Sequence, residues 1–224
     1  MLIDSFAAPM FATNCWVIAP APGGECFIVD PGAADLTGDV GISSEIEMIV
    51  AENNLKPVAV LVTHGHLDHT FSVRPLADGY NIPAYIHSED RRFLSDPSGV
   101  HGLQFMQMIG DLTLNEPIQV VELKNGAIID LLGMKIEALH APGHTRGSVM
   151  FTIDSEILIS GDVLFAGSIG RTDLPTGSSK EMRATLVNKV LPLSDDFRVL
   201  PGHGPETTIK FERKNNPYLK ELAL

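Results

Sequence analysis

The sequence predicts an α/β fold with sheet inside and helices outside. Two observations carry that expectation. Short apolar runs of strand character alternate with helical spacings, and no linker, repeat or low-complexity segment interrupts them. Hydrophobic residues make up 44% of the 224 residues and charged ones only 20%, which supplies a sizeable core and excludes disorder. The length sits within the ~50–250 residues of an ordinary domain, so residues 1–224 read as one domain.

The elements follow in order. Asn14–Ala19 and Cys26–Val29 read as strands joined by the turn Pro20-Ala21-Pro22-Gly23-Gly24, and Asp30-Pro31-Gly32 ends the second with turn chemistry. Ile42, Ile46, Ile49 and Val50 recur at helical spacing as far as Asn53, with Ser43 or Ser44 as the cap. Pro57–Val62 is continuously apolar, the mark of a strand buried on both faces. A helix over His69–Ala77, a strand over Ala84–His87 and a polar helix start near Ser88 come next. Later strands are Gln119–Leu123, Ala127–Leu131, Lys135–Leu139, Val149–Ile153 and Ile157–Ser160; a helix covers Ser179–Val190 and a last strand Arg198–Pro201. Leu103, Phe105, Met106, Met108 and Ile109, within Val100–Pro117, read as packing before they read as an apolar wall beside a substrate. Lys210, Arg213, Lys214 and Lys220 read as an exposed helical tail.

Charge removes several function classes. Lys and Arg number 16 against 28 Asp and Glu, a net charge of −12. That balance argues against a protein that neutralises nucleic-acid phosphates or lies on an anionic membrane. No apolar run approaches the ~20 residues of a membrane span. Residues 1–55 hold eight acids and no Lys or Arg, unlike a secretory or mitochondrial leader. Cys15 and Cys26 fall in adjacent predicted strands, where a bridge is sterically conceivable; buried reduced thiols in a cytoplasmic protein are the expectation.

The chemistry is concentrated in one segment. Directly after the buried strand stands Thr63-His64-Gly65-His66-Leu67-Asp68-His69. In extended backbone, side chains two apart share a face, so His64 and His66 can point at one ion, with Asp68 and His69 reaching a second position. Imidazole and carboxylate are preferred ligands of zinc and similar ions. Three more residues follow predicted strands with Gly beside them: His144 in Pro142-Gly143-His144, Asp162 in Ser160-Gly161-Asp162, and His203 in Pro201-Gly202-His203-Gly204. His87 and His140 read equally well as supporting donors or as structural residues, and His101 lies in the apolar stripe.

Thr63-His64-x-His66-x-Asp68-His69, followed by His144, Asp162 and His203, resembles the pattern of the metallo-β-lactamase superfamily over essentially the whole chain. The resemblance implies an αββα sandwich, two mixed sheets flanked by helices, with a binuclear site at one edge. It implies that His64, His66 and His144 hold one divalent ion and Asp68, His69 and His203 the other. Asp162 would bridge them beside a hydroxide, and Asp68 would orient that nucleophile. Zinc is the first expectation for both ions, iron or manganese being compatible with the same ligands.

Within the superfamily, the lactamases with two zincs place Cys where Asp162 stands, and the diiron oxygen reductases carry Glu where His66 stands. The stretch Gly161–Asp173 and the ending Gly202-His203-Gly204-Pro205-Glu206-Thr207-Thr208, then Asn216-Pro217-Tyr218-Leu219, are similar to glyoxalase II. That similarity implies hydrolysis of an anionic small-molecule acyl thioester, D-lactoyl conjugates foremost. The eukaryotic-type C-terminal helical domain has no counterpart in the ~20 residues after His203. Where that family offers Lys and Tyr to glutathione, this chain has Arg171, which could meet a carboxylate, and Asp173, which would repel one. A second reading is a persulfide dioxygenase with one iron held by His64, His144 and Asp162.

Overall fold

The computed structural model describes residues 1–9, 11–32, 44–109 and 114–222. Ile42 and Ser43 lie outside the described residues, as do the side chains of Leu103, Met108 and Ile109. Two six-stranded mixed sheets stack face to face. The first has the order β1 (Leu2–Ala7), β2 (Asn14–Ala19), β3 (Glu25–Val29), β4 (Lys56–Leu61), β5 (Ala84–His87) and β6 (Val120–Leu123). β1 to β3 are antiparallel, and β3 to β6 run parallel. The second sheet runs from β7 (Ala127–Leu131) through β8 (Met134–His140), β9 (Val149–Ile153), β10 (Ile157–Gly161) and β11 (Arg198–Pro201) to β12 (Thr207–Thr208). Only β10 and β11 pair parallel in it.

Strand alternation sorts the apolar side chains into three layers. Trp16, Ile18, Phe27 and Leu61 of the first sheet face Ile136, Phe151, Ile159 and Leu200 of the second. The intervening residues Val17, Ile28 and Val60 point outward under α1 (Ser44–Glu52) and α3 (Val73–Tyr80). On the far side, Met150, Leu158 and Val199 pack against α5 (Ser179–Thr185), α6 (Ile209–Asn215) and α7 (Pro217–Leu222). The result is the predicted αββα layering, with β4 buried on both faces as its apolar run required.

Several local expectations change. β1 is a strand that the sequence left unassigned; it is a half-exposed edge paired from Leu2↔Ala19 to Ala7↔Asn14. The helix expected over His69–Ala77 is two: α2 (Leu67–Thr70) and α3. Between them Ser72 donates its N–H to the Pro31 carbonyl (3.0 Å) and its hydroxyl to that of Gly32 (3.1 Å), turning the chain toward the β3 loop. The apolar stripe forms α4 (Leu103–Ile109). The helix expected over Ser179–Val190 is α-helical only to Thr185 and continues as one π-helical turn, Leu186–Val190.

The tail is helical, yet Arg213 is not free. It donates to the carbonyls of Leu191 and Leu193 (2.8 Å each) and pairs with Asp195, while Ile209 and Leu219 are buried. Cys15 and Cys26 are free and buried. The register that pairs Trp16 with Val29 and Ile18 with Phe27 puts the two cysteines at opposite ends of the strand pair, out of bonding reach. No helix among the described residues is long and apolar enough to cross a membrane.

Candidate metal centre

All seven expected ligands converge at one edge of the sandwich, on the loops that follow β4, β8, β10 and β11 and on α2. His64, His66 and His144, all buried, offer ligand atoms within 4.8 Å of one another. Nδ1 of His66 lies 2.8 Å from Nε2 of His144. Asp68, His69 and His203 form a second group on the same criterion. The Nε2 atoms of His69 and His203 are 3.3 Å apart, and Asp68 Oδ2 lies 3.5 and 3.4 Å from them.

Asp162 faces both groups. Its Oδ2 is 3.4 Å from Nε2 of His144 and 3.4 Å from Nε2 of His203, and its Oδ1 is 3.5 Å from Nε2 of His69. Backbone packing holds it there. A β-bulge between Ile159 and Gly161, with Gly161 at φ 49°, releases the strand end from its register. Gly202 presses on the carboxylate so closely that a Cβ would collide with Asp162 Oδ1 and lie 2.8 Å from His69 Cε1.

The Nδ1 atoms of three of these histidines are already engaged. His69 Nδ1 lies 2.9 Å from Asp30 Oδ2, His144 Nδ1 donates to the Arg171 carbonyl (2.8 Å), and His203 Nδ1 donates to that of Phe11 (3.0 Å). Such partners fix the tautomer and leave Nε2 for an ion. Asp30 also accepts from the Thr63 N–H and hydroxyl, so its oxygens are committed to orientation although it lies close enough to group with His64 and His69. Thr13 donates to Asp68 Oδ2 at 2.7 Å.

Electrostatics agree with a cation site. Burial and the neighbouring imidazoles hold His64 and His66 well below the usual histidine range, so their lone pairs are free. Burial favours neutral carboxyls, yet His69 with His203 and the other imidazoles outweighs it, holding Asp162 at about 2 and Asp68 far below its ordinary value. Burial likewise opposes protons on His69 and His203, but the surrounding carboxylates raise them to about 9 and about 10. A divalent ion would displace those protons.

The fit to metal rests on unmet donors. Nε2 of His64 and Oδ1 of Asp162 are buried with no hydrogen-bond partner, and an unmet buried polar group costs ~1–3 kcal/mol. Five imidazoles and two carboxylates are the ligand chemistry of zinc or iron.

The profile of the metallo-beta-lactamase superfamily matches residues 8–203. The chain belongs to this superfamily. Hydroxyacylglutathione hydrolase GloC of Haemophilus influenzae is 32% identical over 224 residues, covering 100% of both chains. The crystal structure of the BLEG-1 B3 metallo-beta-lactamase superposes with a TM-score of 0.84 at 33% identity, covering 97% of this chain and 99% of that one. TTHA1623, solved in a di-iron-bound form, gives 0.77 at 30% identity, covering 96% and 100%.

As a metallo-β-lactamase-superfamily site, the centre opens into a cleft of about 310 Å³ whose remaining walls include Phe11, His101, Phe105, Arg171 and Leu174. Arg171 is there, but its guanidinium forms a two-pronged pair with Asp173 at 2.8 and 2.7 Å. His101 accepts the Leu67 N–H at 2.8 Å and stacks on Phe105 at 4.2 Å. The apolar stripe therefore does reach the cleft, through Phe105. His87 and His140 lie outside the seven-ligand group and stack on each other at 4.0 Å, with His140 Nε2 donating to the Arg146 carbonyl. Sequence reasoning missed Asp30 as the partner of His69. Its one local signal is Asp30-Pro31-Gly32, which turn chemistry explains equally well.

Proposed function

We propose that the protein is a cytoplasmic, binuclear metal-dependent hydrolase of S-acyl thiol esters, with D-lactoyl thioesters foremost. The observation that carries the reading is Asp162, within 3.5 Å of histidine nitrogens from both ligand groups. Two divalent ions there, zinc by first assignment and iron as the alternative, would supply a nucleophile at neutral pH and polarise a carbonyl. Asp162 would be a ligand shared by the two, and Asp68, held by the Thr13 hydroxyl, would orient the nucleophile.

A thiol leaves as a thiolate with a pKa near ~8.5 and needs no general acid. The cleft agrees. Among the described residues, the titratable groups lining it besides the candidate ligands are Arg171 and His101. Burial holds His101 at about 4, so at neutral pH it is a neutral imidazole whose Nε2 accepts the Leu67 N–H, not an acidic imidazolium. Phe11, Phe105 and Leu174 offer apolar surface to the substrate, and the pairing of Arg171 with Asp173 leaves little to attract a tripeptide carboxylate. The likeness to GloC supports the reaction class.

The test is a panel of acyl thioesters with different thiols, assayed by thiol release from protein loaded with two equivalents of zinc or iron. Release at rates that scale with metal content supports the reading. Cleavage of a β-lactam in place of thioesters would move it toward BLEG-1. Oxygen uptake with a persulfide by protein holding one iron would replace it with a dioxygenase.

A further inference from the structure

We infer that Asp90 is a positioning residue that assembles the first metal half-site by fastening the two loops that build it. Asp90 is fully buried and belongs to none of the ligand motifs. Its Oδ2 accepts the Gly65 N–H at 2.9 Å and the Thr145 hydroxyl at 2.6 Å, and its Oδ1 accepts the Gly147 N–H at 2.8 Å. Gly65 stands between His64 and His66, and Thr145 follows His144. One carboxylate therefore ties together the segments that carry all three ligands of that half-site.

The fastening is close-packed as well as hydrogen-bonded. A Cβ on Gly147 would sit 2.5 to 2.7 Å from Asp90 Cγ, Oδ1 and Cβ. A Cβ on Gly65 would sit 2.7 Å from the Phe93 ring and 3.2 Å from the Asp90 carbonyl. Thr145 extends the network to the Ser148 hydroxyl at 2.8 Å. The other half-site hangs on different partners: Asp30 for His69, Thr13 for Asp68 and the Phe11 carbonyl for His203. Loss of Asp90 should therefore act on one ion and spare the other, which a merely structural role would not do.

The inference rests on the binuclear reading above and is tested separately from activity. Metal-free wild type, Asp90→Asn and Thr145→Val are titrated with zinc against a chelator, and imidazole nitrogen NMR shifts assign each step to its histidines. In Asp90→Asn the step that moves His64, His66 and His144 should weaken 10–100-fold, the cost typical of lost outer partners. The step that moves His69 and His203 should stay within about threefold. Thr145→Val, which deletes one of the three donors, should shift the first step in the same direction by less, and it decides the matter if Asp90→Asn does not fold. Equal weakening of both steps, or none, overturns the inference while leaving the binuclear reading intact. Absence of any zinc step in wild type overturns both.

Discussion

Oδ2 of Asp30 lies 2.9 Å from Nδ1 of His69, and both side chains are buried. The carboxylate fixes the ring so that Nε2 is the atom facing Asp68, Asp162 and His203. Asp30→Ala should therefore weaken the ion held by His69 by about 10–100-fold. Chelator competition on the zinc-loaded variant measures it, and unchanged affinity would remove Asp30 from the site.

Asp162→Ala should lower both occupancies, because this carboxylate faces both ligand groups. Elemental analysis of purified protein should give close to two ions per chain in wild type. One ion with full activity would end the binuclear reading.

His66→Ala and His69→Ala should each lower turnover by several decades with the fold retained, since the three apolar layers persist without either ring. Circular dichroism and kcat on metal-checked protein decide it. One-tenth or more of wild-type activity would count against the assignment.

S-D-lactoylglutathione should be turned over with a KM about one to three decades above that of a glutathione-specific enzyme, the cost of two or three missing hydrogen bonds of ~0.5–1.5 kcal/mol each. Arg171→Ala should change that KM by less than about threefold, because Asp173 already holds the guanidinium. A micromolar KM for the glutathione ester, with rejection of smaller thiols, would reveal a pocket for the tripeptide.

His87 supplies a pH test away from the ligands. Burial, then the stacked His140, lowers it to about 4 in the folded protein, against 6.5 for a free imidazole. The unfolded chain thus binds the extra proton between those values, so the contribution of His87 to stability is present above pH 6.5 and lost as pH falls toward 4. Urea midpoints of metal-free protein at pH 7 and pH 4.5 should differ less for His87→Gln than for wild type. Identical differences would show that His87 titrates normally.

What was legible in the sequence is what local pattern encodes. The apolar run Pro57–Val62 announced a doubly covered strand, and the histidines after it announced a cluster of ligand-type side chains. The two half-exposed segments left unassigned, β1 and β12, lack such a run and owe their pairing to partner strands already in place. The break at Ser72 depends on carbonyls of Pro31 and Gly32, some forty residues upstream. Asp30 and Asp90 were illegible for the same reason. Each is an ordinary turn acid by its neighbours, and its meaning lies in Thr63, His69, Gly65 and Thr145, which only the folded chain brings to it.

The pressure of Gly202 on Asp162 and of Gly147 on Asp90 has a consequence for how such a molecule can diversify. The floor of the cleft is locked by main chain, where even one added methyl group has no room. Its rim is made of side chains such as Phe11, which is 52% exposed, and Phe105, neither of which is among the seven ligands. Reactivity and selectivity thus occupy separate strata, and a descendant chain could acquire a new substrate by repainting the rim over an unaltered floor.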